Sequence, residues 1–99
     1  FGGFAARELA VRIDDCAPRA VIAASCGLEP GKTVAYKPLL DAALDLASHA
    51  PDFCVVLQRP ELAAAMVPGR DLDWSAVASA EPHPCVPVAG DHPAYILYT

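Results

Sequence analysis

The sequence predicts an α/β fold: a parallel-type sheet with covering helices. Three observations carry that reading. Ala20–Ala24 and Phe53–Leu57 are short, continuously apolar runs, the pattern of strands covered on both faces. The stretches around them repeat their apolar residues with helical spacing. Helix-like and strand-like segments alternate along the chain, the order expected of parallel strands joined by crossovers. No internal repeat or low-complexity tract interrupts it.

Residues Phe4 to Asp15 read as the first helix. Ala6, Leu9, Ala10 and Ile13 fall on one stripe, Glu8 precedes Arg12 by one turn, and Pro18 stops the helix. The Ala20–Ala24 strand leads into a Gly/Pro loop, Ser25 to Lys32, and Thr33-Val34-Ala35-Tyr36 is weakly extended. Pro38 is expected to open the second helix, where its missing N–H costs nothing. Leu40, Ala43, Leu44 and Ala47 form its stripe, and Pro51 lies beyond its end. After the Phe53–Leu57 strand, Pro60 to Met66 is expected to hold a short helical turn and Pro68-Gly69 to break the chain. Asp73 can cap a last short helix carrying Trp74, Val77 and Ala78. Pro82, Pro84, Pro87 and Pro93 then read as an extended connector into a final strand, Tyr95–Thr99.

Composition narrows the functional classes. Ninety-nine residues make one domain or part of one, and small domains bury proportionately little surface. Hydrophobic content is 55% and mean hydropathy +0.33, which reads as apolar surface that belongs against the rest of a larger protein, an Ala-rich composition being the plainer explanation. Both ends read as cuts: Phe1-Gly2-Gly3-Phe4 has no Met, and Tyr95–Thr99 stops within a strand-like run. The formal charge of −5 and the lack of a Lys/Arg cluster argue against nucleic acid as a partner. No apolar run approaches the roughly 20 residues of a membrane span, and no signal peptide is visible. Cys16, Cys26, Cys54 and Cys85 are scattered without a C-x-x-C pair. They read as reduced thiols of a cytosolic protein, with Cys54 a small buried hydrophobe. An organellar matrix stays open if a preceding segment carries a targeting signal.

Gly27-Leu28-Glu29-Pro30-Gly31-Lys32-Thr33 follows a strand and ends Gly-Lys-Thr, as a phosphate-binding loop does. That loop needs four residues between its glycines and opens directly into a helix. Here there are three, Cys26 stands where the first Gly should be, and an extended segment follows. An ordinary Pro/Gly turn fits the composition. A looser anion site, with Lys32 as a point charge and the Gly31 amide as donor, is the third reading. His83-Pro84-Cys85 with His92 has no closed four-ligand zinc spacing and reads as a solvated loop. His49 sits near a helix C-terminus, where its charge is favourable. Ser25, Ser48, Ser75 and Ser79 lack a G-x-S-x-G turn. A Cys–His pair would have to form in space, which spacing does not reveal. Gly69-Arg70-Asp71-Leu72-Asp73-Trp74 reads as a turn, a helix cap and a buried Trp. Gly2-Gly3 reads as a plain loop or a place where a ligand approaches the backbone.

Taken together, four strings resemble AMP-forming short-chain acyl-CoA synthetases of the adenylate-forming superfamily. They are Phe1-Gly2-Gly3-Phe4, Glu29-Pro30-Gly31-Lys32, Gly69-Arg70-Asp71-Leu72-Asp73-Trp74 and Asp91-His92-Pro93-Ala94-Tyr95-Ile96-Leu97-Tyr98-Thr99, in that order. The likeness is greatest to propionyl-CoA synthetases, then acetyl-CoA synthetases, and covers essentially the whole chain. It implies that residues 1–99 are part of the large N-terminal, AMP-binding domain, cut before the Ser/Thr/Gly-rich loop that holds the ATP phosphates. It implies a two-step reaction: a short carboxylate and MgATP give an acyl-adenylate, and the CoA thiol then takes the acyl group. The substrates would be a short-chain carboxylate, ATP and CoA, and the other partner the rest of the same polypeptide.

The same resemblance places Glu29, Pro30, Gly31 and Lys32 against the nucleotide end of CoA, with Gly2 and Gly3 near that region. Lys32 replaces the family's usual Arg, keeping the charge and losing the planar fork. No catalytic residue and no metal ligand of the family falls within the chain, so the ATP and Mg sites are expected outside it and the chain alone is expected to be inactive. A small non-catalytic α/β binding module is the alternative of another class.

Overall fold

The computed structural model describes residues 5–99. Two apolar stripes facing one another set the helical layer. Helix α1 (Ala6–Cys16) and helix α2 (Tyr36–Leu46) bury Ala10, Ile13 and Ala43 between them, with Ala6, Leu9, Leu44 and Ala47 packed around that cluster. These are the stripes that helical periodicity picks out. Ala17 ends α1 in the left-handed region, its N–H bonded to the Ile13 carbonyl, and Pro18 follows.

The sheet lies beside these helices. Strands β1 (Ala20–Ala24), β4 (Phe53–Leu57) and β5 (Asp71–Asp73) run parallel in the order β1-β4-β5. The register pairs Val21 with Cys54 and Cys54 with Asp71, so these three share one face. Ile22, Val55 and Leu72 share the other, where Ile22 and Leu72 stay exposed. Cys54 and Val56 are fully buried, as the continuous apolar run predicts. A separate antiparallel hairpin, β2 (Cys26–Glu29) with β3 (Lys32–Ala35), stands between β1 and α2.

Five local expectations change, the last of them at Trp74 below. The Ser25–Lys32 loop and the extended segment after it pair as the β2–β3 hairpin, because Pro30-Gly31 closes a tight turn. Helix α2 begins at Tyr36, two residues before Pro38, because the Ser25 carbonyl accepts the Tyr36 and Lys37 N–H groups. Residues 60–66 form no helix. The Gln58 side-chain amide instead donates to the Ala64 carbonyl (2.9 Å) and accepts from the Ala64 N–H (2.8 Å), holding the segment open. Residues 95–99 form no strand: no described strand pairs with them, and Tyr95, Ile96 and Leu97 are exposed. Tyr98 lies against α1, donating to Asp15 Oδ2 (2.6 Å) with its ring under the Arg12 guanidinium.

At the end of the sheet, Asp73 caps α3 (Trp74–Ala78) by accepting from the Ser75 N–H (2.9 Å) and hydroxyl (2.5 Å). Trp74 is half-exposed rather than buried, since α3 is barely more than a turn and carries no buried residue. Gly2 and Gly3 lie outside the described residues.

Candidate functional site

Glu29, Pro30, Gly31 and Lys32 form one compact feature. Glu29 and Lys32 are register partners at the end of the hairpin, and Pro30-Gly31 makes the turn between them. Gly31 has φ +76°, which Pro at the first central position and Gly at the second readily supply. Among the described residues, no atom beyond its own chain neighbours lies within 4 Å of where a Gly31 Cβ would stand, so the turn projects away from them. Lys32 Nζ is 3.0 Å from Glu29 Oε2, with the lysine side chain 66% exposed and the glutamate 35%. The turn therefore presents an exposed ammonium already paired with a carboxylate. Strand β3 follows Lys32 where a nucleotide-hydrolase phosphate loop would open a helix, which rules that loop type out.

The base of the hairpin is fixed. Ser25 is buried; its N–H donates to the Leu57 carbonyl (2.9 Å), and its hydroxyl oxygen accepts from the Arg59 N–H (2.8 Å). Tyr36 lies over Gly27 so closely that a Cβ there would sit 2.0 Å from the phenolic oxygen. The glycine is thus required by a close approach, not by backbone conformation.

Behind the hairpin, Lys37, Asp41, Arg70 and Asp71 form a charge cluster that the sequence reading missed. Lys37, on the first turn of α2, is fully buried, with Nζ 2.8 Å from Asp41 Oδ1 and 2.8 Å from Asp71 Oδ2. Arg70 bonds Asp71 through Nε (2.7 Å) and a terminal nitrogen (3.0 Å), and also bonds Asp41. The Val67 N–H donates to Asp71 as well (2.8 Å). Burial alone would raise both carboxylates and lower the ammonium, but the hydrogen bonds outweigh it. Asp71 is held well below the ordinary carboxylate range by Arg70 and Lys37, Asp41 is lowered by the same two cations, and Lys37 is raised. Only the i,i+4 spacing of Lys37 and Asp41 could have signalled this cluster; its joining to Arg70-Asp71 is tertiary.

A cleft of about 200 Å³ opens above the cluster, lined by Ser25, Lys37, Pro38, Asp41 and Leu62 to Ala65. It is smaller than the roughly 300 Å³ lower bound of small-molecule sites. His49 serves structure: Nε2 meets the Pro18 carbonyl at 2.8 Å and the His49 backbone N–H donates to Asp14 Oδ1. His83 Nδ1 meets the Pro84 carbonyl at 2.7 Å in the exposed terminal segment that also holds Cys85 and His92. Cys54 is buried, and burial pushes its thiol up, away from nucleophilic use.

A small α/β unit with a three-stranded parallel sheet and accompanying helices is consistent with part of the N-terminal domain of an adenylate-forming enzyme. Comparison with known proteins narrows the class. No family model matches the chain. The chain is 55% identical to an uncharacterized Pseudomonas aeruginosa protein, over all of this chain and 16% of that protein. It is 50% identical to the human mitochondrial acyl-CoA synthetase short-chain family member 3, over all of this chain and 15% of that one. It is 39% identical to the propionate–CoA ligase of Salmonella typhimurium, again over its full length and 16% of the enzyme. The chain belongs to the short-chain acyl-CoA synthetase family, and it spans about one-sixth of the length of these relatives.

Proposed function

We propose that the protein carrying this chain is an AMP-forming ligase that joins a short carboxylate, propionate first among them, to CoA. The observation that carries the proposal is identity over the whole chain to an acyl-CoA synthetase and a propionate–CoA ligase. In the first step a carboxylate oxygen attacks the α-phosphorus of ATP and pyrophosphate leaves. In the second the CoA thiol attacks the acyl carbonyl, and AMP leaves with the C–O bonding pair. Acetate is the competing substrate.

Residues 1–99 contribute part of the AMP-binding domain, ahead of the ATP phosphate loop. Their own role is in the second step: Glu29, Pro30, Gly31 and Lys32 receive the nucleotide end of CoA. An exposed ammonium on a fixed two-residue turn fits a phosphate approached from solvent. ATP and Mg are held by residues outside the chain, and the cleft over Lys37 is too small for a nucleoside triphosphate. Among the described residues no helix is long and apolar enough to cross a membrane. The proposed compartment is the cytoplasm or an organellar matrix.

The test is product analysis with the full-length protein, ATP, CoA and either propionate or acetate. The expected products are acyl-CoA, AMP and pyrophosphate, with kcat/KM higher for propionate. The 99-residue chain alone forms no acyl-adenylate. Formation of ADP by the full-length protein, or carboxylate-dependent ATP–pyrophosphate exchange by the 99-residue chain, would overturn the reading.

A further inference from the structure

The turn holds its cation and an anion at one address. Glu29 and Lys32 are cross-strand partners separated by only Pro30 and Gly31, and their side-chain charges lie 3.0 Å apart. The hairpin register fixes the two Cα positions, so neither residue can leave the turn by a backbone shift while the hairpin persists. A phosphate that comes within hydrogen-bond distance of Lys32 therefore also meets the Glu29 carboxylate. Two costs follow. The existing ion pair must open or be shared, and the phosphate is repelled by Glu29 in proportion to its own charge. A phosphate monoester near pH 7 carries close to two negative charges, and a phosphodiester carries one. Glu29 thus opposes the monoester more than the diester.

We propose that Glu29 is a specificity-determining residue of this turn: it weakens the hold of Lys32 on a terminal phosphate monoester, here the 3′-phosphate of CoA. This rests on the assignment of the turn to the nucleotide end of CoA. The enzyme consequently distinguishes CoA from 3′-dephospho-CoA less sharply than a turn with Lys32 alone would. Glu29 is about one-third exposed and Lys32 about two-thirds, so water and salt screen the effect and it is a matter of a few-fold in affinity. The pair sits at the exposed end of the hairpin. Gly31 and Pro30 set the turn, and Ser25, Gly27 and Tyr36 set the hairpin base.

The experiment uses the full-length protein and two thiol substrates, CoA and 3′-dephospho-CoA. Glu29→Gln is expected to lower the KM for CoA about threefold at low ionic strength, with the gain shrinking as salt is added. The KM for dephospho-CoA falls by a smaller factor than that for CoA. An unchanged or raised KM for CoA, or an equal fall for both thiols, overturns the proposal. Lys32→Ala separates the two levels of the claim. If it raises the KM for CoA and spares dephospho-CoA while Glu29→Gln does nothing, the turn binds the phosphate and only the role of Glu29 fails. If Lys32→Ala has no effect on either thiol, both fail.

Discussion

Gly27 shows how a single residue can be essential for a reason no local pattern reveals. In sequence it looks like the first glycine of a near-miss phosphate loop. In the structure its missing side chain makes room for Tyr36, whose phenolic oxygen occupies the place of a Cβ. Gly27→Ala must therefore push the Tyr36 ring off the hairpin. We expect a loss of about 1–3 kcal/mol in the unfolding free energy of the full-length protein. Tyr36→Ala should remove most of that penalty in a double-mutant cycle, because the clash needs both partners. Additive losses would refute the close-approach account. Gly31, in contrast, was legible: Pro-Gly at the centre of a short turn predicts a residue with positive φ, and it has one.

At the scale of elements, what was legible is what repeats. The apolar stripes of α1 and α2 and the apolar runs of β1 and β4 follow from periodicity and appear where expected. Strand β5 was hidden because it has three residues, two of them aspartate, and strands are poor in aspartate. Asp71 can enter the fold only because Lys37, Arg70 and the Val67 N–H satisfy it. This gives the cluster a definite pH signature. Unfolded, Asp71 binds its proton near pH 3.9; folded, it stays ionised to lower pH. Its contribution to stability is thus fully present above about pH 4 and declines as pH falls below that value, where the unfolded state binds more protons. Asp71→Asn should lower the denaturant midpoint at neutral pH, by the equivalent of about 3 kcal/mol, and flatten the fall in stability between about pH 4 and pH 2. An acid limb as steep as that of the unsubstituted protein would mean that other carboxylates govern it.

For the molecule as a whole, the α/β class and the family were both readable in the sequence, the first from alternation of elements and the second from four ordered motifs. The site was readable only as residues. That Glu29 and Lys32 pair across a projecting turn depends on hairpin register, which the sequence reading took for a loop. The anchoring of that hairpin through Ser25 joins it to the end of β4 and the start of α2, contacts that span more than 30 residues at the Ser25–Arg59 bond. On the sheet face shared by Ile22, Val55 and Leu72, Val55 is buried while Ile22 and Leu72 stay exposed among the described residues.

The most direct test of the functional account separates the two half-reactions in Lys32→Ala full-length protein. Adenylate formation is read by propionate-dependent ATP–pyrophosphate exchange, and thioester formation by the dependence of rate on CoA concentration. The account predicts exchange at the unsubstituted rate and a KM for CoA raised about tenfold, the loss of one charged contact to a phosphate. Equal impairment of both half-reactions, or an unaltered KM for CoA, would contradict it.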